Sequence, residues 1–134
     1  MNYKNGIGKR GEELAAEHLE KNGYRITARN YRISHDEIDI IAEDEKYIVF
    51  AEVKTRADTP SNRRFGRPAT AVDYAKRQKL MRAALEYIRR EKPTKAPRID
   101  VIEVYLPYIR EGMPVYMSSL NAVRVNHIKN AVHK

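Results

Sequence analysis

Glu37-Ile38-Asp39-Ile40-Ile41 and Tyr47-Ile48-Val49-Phe50-Ala51-Glu52-Val53-Lys54 are two apolar runs separated by the polar tetrapeptide Glu43-Asp44-Glu45-Lys46. Both runs are short and rich in β-branched residues, and the segment between them has the length of a turn, so the stretch reads as a β-hairpin. Side chains alternate along a strand, which sends Glu52 and Lys54 to the same face, two positions apart. With the turn centred near Asp44-Glu45, Asp39 is expected opposite about Phe50, with Glu52 on the diagonal. Two carboxylates and an ammonium then converge at the edge of an apolar sheet. Burying such charge is costly unless the groups pair or bind a cation. A divalent ion beside a phosphodiester is a sensible reason for the arrangement. The plainer alternative is a surface ion pair on an edge hairpin, worth about 0–1 kcal/mol.

The surrounding chain narrows the class. Its 134 residues are read as a single domain, 1–134, able to bury a core without staples. Cysteine is absent, which excludes disulfides and thiolate zinc sites and fits a reducing compartment. Residues Met1 to Arg10 hold no apolar leader-like run, and no stretch approaches membrane-spanning length, so a soluble cytoplasmic protein with no membrane partner is expected. The net charge of +8 is unevenly placed. Lys54 to Arg98 carries fourteen basic and four acidic residues, whereas the remainder carries twelve basic and fourteen acidic. A polyanion such as nucleic acid is the natural partner of that stretch; the alternative is a solvated helix face.

Outward from the hairpin, a first helix is expected from about Gly8 to Asn22, stopped by Gly23. Leu14, Ala15 and Leu19 form its apolar stripe, and Glu12 shares their face, while Glu13, Glu17 and Glu20 lie on the wet side. Glu12 is thus an acid held near the core edge. A strand from Tyr24 to Ile33 leads into the hairpin. Ala57 to Pro68 reads as a loop carrying Arg63, Arg64 and Arg67, placed to meet phosphates. A second helix spans about Ala69 to Glu91, with an inward row of Val72, Lys76, Leu80, Ala83 or Ala84, Tyr87 and Ile88. Lys76 is the odd member, a charge that either snorkels to solvent or reaches the acidic cluster. Arg98 to Leu106 reads as a strand with Ile99, Val101 and Glu103 on one face and Asp100, Ile102 and Val104 on the other. A last strand is expected near Val115 to Ser118, and Asn121 to Lys134 reads equally as short helix or strand. The order α-β-β-β-α-β makes an α/β fold with a mixed sheet. His18 and His127 each sit alone beside apolar residues, His35 and His133 in polar segments, and all four read as structural. The nine tyrosines read mainly as core-edge residues, with base stacking as the alternative.

Across nearly its whole length the chain resembles the YraN-like family of bacterial proteins, which are read as endonucleases of restriction-endonuclease-like fold. The resemblance rests on Gly8-Lys9-Arg10-Gly11-Glu12, Gly23-Tyr24-Arg25-Ile26, Asn30-Tyr31-Arg32 and Glu37 to Ile41. It continues through Phe50 to Arg56, Phe65-Gly66-Arg67-Pro68, Lys76, Lys79-Leu80, Ile99-Asp100-Val101 and His127 to Ala131. The set Glu12, Asp39 and Glu52-x-Lys54 is also similar to that of archaeal Holliday junction resolvases. Where the family usually has Gly before its Glu-Ile-Asp segment, this chain has Asp36, an added carboxylate near the site.

The resemblance implies a restriction-endonuclease-like core and a metal-dependent nuclease, with DNA favoured over RNA and a branched or structured substrate within range. Asp39 and Glu52, with the Val53 carbonyl, would hold Mg²⁺ or Mn²⁺, hard cations that prefer oxygen. Lys54 would orient the attacking water and stabilise charge on the phosphate, and Glu12 would bind the ion through water or complete a second site. Arg56, Arg63, Arg64, Arg67, Lys76 and Lys79 would clamp flanking phosphates. Such nucleases are often dimers, so a second copy is a candidate partner. The competing expectations are a non-catalytic nucleic-acid-binding protein that retains the nuclease fold, and a module whose basic face meets an acidic protein.

Overall fold

Helix α1 spans Tyr3–Lys21, and the chain then forms β1 (Arg25–Ile33), β2 (Asp36–Glu43), β3 (Tyr47–Ala57), helix α2 (Tyr74–Glu91), β4 (Ala96–Leu106) and β5 (Arg124–Ile128). This computed structural model describes residues 3–59, 74–108 and 120–132, with side chains from residue 6 onward. The expected strand near Val115 to Ser118, the loop arginines Arg63, Arg64 and Arg67, and the first turn of the second helix lie outside the described residues. The five strands form one mixed sheet in the order β1-β2-β3-β4-β5. Neighbours are antiparallel except β3 and β4, which run parallel from Tyr47↔Ala96 to Ala57↔Leu106. The order α-β-β-β-α-β expected of the core is present, and β5 resolves the tail as a strand. Among the described residues, no helix is long and apolar enough to cross a membrane.

Alternation divides the core into two layers. Leu14, Ala15, Ala16 and Leu19 of α1 pack on Ile40, Ala42, Val49, Ala51, Ile102 and Val104. Leu80, Ala83 and Ala84 of α2 pack on Ile33, Ile41, Ile48, Phe50 and Ile99 on the other face. Strands β3 and β4 are covered on both sides along Ile48 to Glu52 and Asp100 to Leu106, where their residues are continuously buried, as a parallel pair requires.

Helix α1 begins five residues before Gly8, the expected start. Ile7 packs against the apolar cluster, and this tertiary support outweighs the weak propensity of Gly6 and Gly8. At its other end Gly23 has φ +89°, Gly23 N–H donates to the Glu20 carbonyl and Tyr24 N–H to the Leu19 carbonyl. That is the Schellman pattern, with Tyr24 and Leu19 meeting in the core.

The hairpin turn differs from expectation by one position. Asp44 N–H donates to the Tyr47 carbonyl at 3.1 Å, and the Asp44 carboxylate accepts the Lys46 and Tyr47 amides at 2.8 and 2.7 Å. This Asx geometry makes Asp44 the residue that closes the turn, which therefore centres on Glu45-Lys46 rather than Asp44-Glu45. Phe50 consequently pairs with Ile41, and Ala51 with Ile40. Continuing that register sets Asp39 across from Glu52, not Phe50.

Gly11 fixes the docking of α1. A Cβ there would lie 1.9 Å from Thr55 Oγ1 and 2.9 Å from Thr55 Cβ. An alanine in a helix ordinarily gains up to about 1 kcal/mol over glycine, whereas overpacking costs about 1–3 kcal/mol. Gly11→Ala is therefore expected to destabilise the protein by about 1–2 kcal/mol in urea unfolding, and a gain in stability would contradict this packing.

Candidate functional site

The ladder between β2 and β3 ends at Ile40↔Ala51. Beyond that pair β2 stays with β1, through Ile38↔Tyr31 to Asp36↔Ile33, while β3 stays with β4 as far as Ala57. The candidate site lies where these two strands part. At the fork Val53 N–H has no strand partner on β2; it donates instead to Asp39 Oδ2 at 2.8 Å. In an antiparallel ladder a residue's N–H and C=O face the same neighbour. The Val53 carbonyl therefore also leaves β3 toward the fork.

Asp39 and Glu52 face each other there, and Glu52 is 4% exposed. Burial, then the neighbouring Glu52 charge, pushes the Asp39 carboxyl up to about 7, against the opposing Val53 N–H; Glu12 and a hydrogen bond shared with Glu52 add to the rise. Like charges this close cannot both ionise at low cost unless a cation sits with them. Two ammonium groups partly serve that need. Lys76 Nζ lies 3.1 Å and Lys54 Nζ 3.6 Å from Glu52 Oε1. Of the two outcomes expected for Lys76, reaching the acidic cluster is the one observed.

Glu12 approaches the pair electrostatically but is turned toward β1. With the Asn30 amide oriented to satisfy its neighbours, its nitrogen donates to Glu12 Oε1 at 2.8 Å and to Glu37 Oε1 at 3.1 Å. Asn30 has φ +49°, left-handed backbone inside a strand, and this bend sits between the Arg29↔Ile40 and Tyr31↔Ile38 pairs. Burial raises the Glu12 carboxyl above its ordinary value, with Arg29 opposing and Glu37 reinforcing. Among the described residues, no three His, Asp or Glu side chains are arranged to hold an ion unaided. The donor set that fits a hard cation is Asp39, Glu52 and the Val53 carbonyl, with Glu12 nearby and engaged by Asn30.

A cleft of about 510 Å³ opens over Asp39 and Glu52, walled by Lys76, Lys79 and Arg82 of α2 and by the β1–β2 turn. Asp36, expected as a stray carboxylate near the site, is gripped by Arg82 in a two-pronged bridge, Nε to Oδ2 and Nη2 to Oδ1, each 2.9 Å. That bridge holds the Asp36 carboxyl below its usual range. Arg56 extends the row Glu52-Lys54 along β3, and its Nε donates to buried Glu103 at 2.9 Å. Asn30 and the Asp36–Arg82 bridge were not picked out as site features in the sequence. An Asn between Arg29 and Tyr31, a residue type depleted in strands and tolerant of left-handed backbone, is the available signal for the bend.

The opposite face of the sheet carries a second polar group, separate from the cleft. His18 and His127, expected to sit alone, meet at 3.3 Å between Nε2 and Nδ1, and His127 Nε2 bridges to Asp100 Oδ2 at 2.7 Å. Asp100 is fully buried and also accepts Arg98 Nε and Nη2 and the Asn130 amide, each at 2.9 Å. Burial alone would raise its carboxyl, but these donors bring it below the ordinary value. The cluster pins β5 and the following turn under α1, with His18 and His127 paired rather than alone; His35 lines the cleft, and His133 lies outside the described residues.

Against known proteins, the model of an uncharacterised protein family, UPF0102, matches residues 11–104. The chain belongs to the UPF0102 family. It is 40% identical over 129 residues to a UPF0102 protein of Caldanaerobacter subterraneus, covering 96% of this chain and 95% of the relative. It is 41% identical over 132 residues to one from Chlorobaculum tepidum, covering 98% and 95%. A UPF0102 protein of Symbiobacterium thermophilum is 48% identical over 99 residues, 73% of this chain and 80% of the relative. The resemblance to the YraN-like family read from the sequence is thereby borne out.

A carboxyl whose folded pKa lies above its unfolded value stabilises the fold at low pH and loses that contribution as pH rises through the folded value. For Asp39 that window runs from the ordinary carboxyl value of 3.8 to about 7. In EDTA, Asp39→Asn of this UPF0102 protein is therefore expected to gain stability over wild type at pH 8 relative to pH 5, read from urea midpoints. An unchanged difference between the two pH values would show that Asp39 is not held in this way.

Proposed function

We propose that this UPF0102 protein is a metal-dependent nuclease that hydrolyses phosphodiester bonds in nucleic acid, with DNA, including branched or structured DNA, as the favoured substrate. The observation that carries the reading is the fork. Two facing carboxylates, one buried and one pushed up to about 7, lie at the floor of a cleft walled by Lys76, Lys79 and Arg82, with a backbone carbonyl and the Lys54 ammonium beside them. A structural ion pair needs one acid and one base. Two acids close enough for one to push the other up, beneath basic walls, suit an ion below and a phosphate above.

Asp39, Glu52 and the Val53 carbonyl would hold Mg²⁺ or Mn²⁺. When bound, such an ion polarises the scissile phosphate and lowers the pKa of water. Lys54, on the face of Glu52 and 3.6 Å from its carboxylate, is placed to orient the attacking water and to stabilise negative charge on the phosphate oxygens as the water oxygen adds to phosphorus and the sugar oxygen leaves. Lys76, 3.1 Å from Glu52, would turn to a flanking phosphate when that carboxylate's charge is taken up. Lys79 and Arg82 line the same wall and contribute charge without reading sequence. Glu12, restrained by Asn30, would act through water.

The test is purified protein with Mn²⁺ against linear duplex, flap, four-way junction and single-stranded DNA and RNA. Wild type is expected to cleave at least one substrate. Asp39→Ala and Lys54→Ala should each lower cleavage by at least about a hundredfold, with little change in the circular dichroism spectrum and, for Asp39→Ala, little change in binding. Retained cleavage in Asp39→Ala/Lys54→Ala would refute the assignment. Salt-sensitive binding without cleavage of any substrate, unaffected by Mn²⁺, would favour the non-catalytic binder.

A further inference from the structure

The cations of β3 continue past the cleft onto the far edge of the sheet. Across the paired strands, Lys54, Glu103 and Asn126 form one rung, and Arg56, Tyr105 and Arg124 form the next. All six side chains leave on the face that carries Glu52, as their contacts show. Arg56 Nε meets Glu103 Oε2 at 2.9 Å, Asn126 Nδ2 donates to Glu103 Oε1 at 2.8 Å, and the Arg124 guanidinium carbon lies 4.0 Å over the centre of the Tyr105 ring.

Burial divides the two rungs into a platform and its tips. Glu103 is 1% and Tyr105 2% exposed, whereas Arg124 is exposed and Lys54 and Arg56 are partly so. A buried carboxylate on a central strand is expensive unless it is paired. Here Glu103 orients Arg56 and Asn126 at once, and Tyr105 does the same for Arg124 through its ring face. Each long cation is thus held in place by a residue beneath it, which lowers the entropy lost when it meets a ligand. Strands lie about 4.8 Å apart, so Arg56 and Arg124, two strands apart, are separated by about 10 Å.

We propose that Lys54, Arg56 and Arg124 form a phosphate track that carries one nucleic-acid strand from the Asp39–Glu52 cleft across β4 and out over β5. The proposal rests on reading the cleft as a phosphodiester site. The track recognises the backbone only, so it is indifferent to sequence, and it makes β5 part of the substrate surface.

The experiment is fluorescence anisotropy with a fluorescein-labelled 30-base-pair DNA duplex in EDTA, titrated at several NaCl concentrations. Arg124→Gln is compared with Arg124→Lys and with Arg25→Gln, an exposed arginine of β1 at the other edge of the sheet, which removes the same charge. Arg124→Gln should weaken binding about three- to tenfold at 100 mM NaCl and reduce the salt slope by about 0.9, while Arg124→Lys recovers most of the loss. Arg25→Gln should leave both unchanged. Equal losses in Arg124→Gln and Arg25→Gln, or no binding of duplex by wild type, would overturn the track. Because binding is read without metal, the two readings separate. A slope change at Arg124 in a protein that cleaves nothing keeps the track and removes the nuclease. Cleavage by wild type, with Arg124→Gln binding and cleaving normally, does the reverse.

Discussion

The candidate site exists because one backbone amide is satisfied by a carboxylate instead of by a strand. Val53 N–H would pair with β2 if the hairpin ladder continued; Asp39 takes the bond at 2.8 Å and allows β2 to turn away toward β1. Without that acceptor the parting of the strands would leave a partly buried donor unmet, at a cost of about 1–3 kcal/mol. The same bond draws Asp39 into a position where burial and Glu52 push its carboxyl up to about 7. Fold and electrostatic strain are thus one arrangement seen from two sides.

The two helices serve this fork differently. Helix α1 is brought close by the absence of a side chain at Gly11, which lets it rest on Thr55 and carries Glu12 toward the acids. Helix α2 packs through Leu80, Ala83 and Ala84 and supplies the opposing wall of cations, with Lys76 reaching Glu52 and Arg82 holding Asp36. The polar cluster around Asp100 lies on the other face and secures β5, the strand that bears Arg124. The two polar groups are kept on opposite faces of one sheet, each beside its own apolar layer.

Much of this was readable from pattern. Period-two alternation placed Glu52 and Lys54 together and divided Ile99, Val101 and Glu103 from Asp100, Ile102 and Val104, as the two apolar layers bear out. Helical spacing put Leu14, Ala15 and Leu19 inside with Glu12 beside them. What escaped depended on partners distant in the chain or on one unusual residue. The Asx bond of Asp44 moved the turn, left-handed Asn30 bent β1, and His18 met His127 across 109 positions. In β5, Arg124 and Asn126 alternate with Val125 and His127, but five residues of alternation are too few to choose strand over helix without a neighbour to pair with.

By itself the sequence determined which residues face together within each strand and helix, because that follows from backbone periods of 2 and 3.6 that no distant contact alters. It also determined the lopsided charge, which is a matter of composition. Only the tertiary structure decided which faces meet: that Asp39 lies across from Glu52, that Lys76 comes to them from another layer, and that Arg56 and Arg124 share a surface two strands apart. Those outcomes depend on register, on the close approach at Gly11 and on where two strands part, and each is set by contacts between segments that local sequence does not encode.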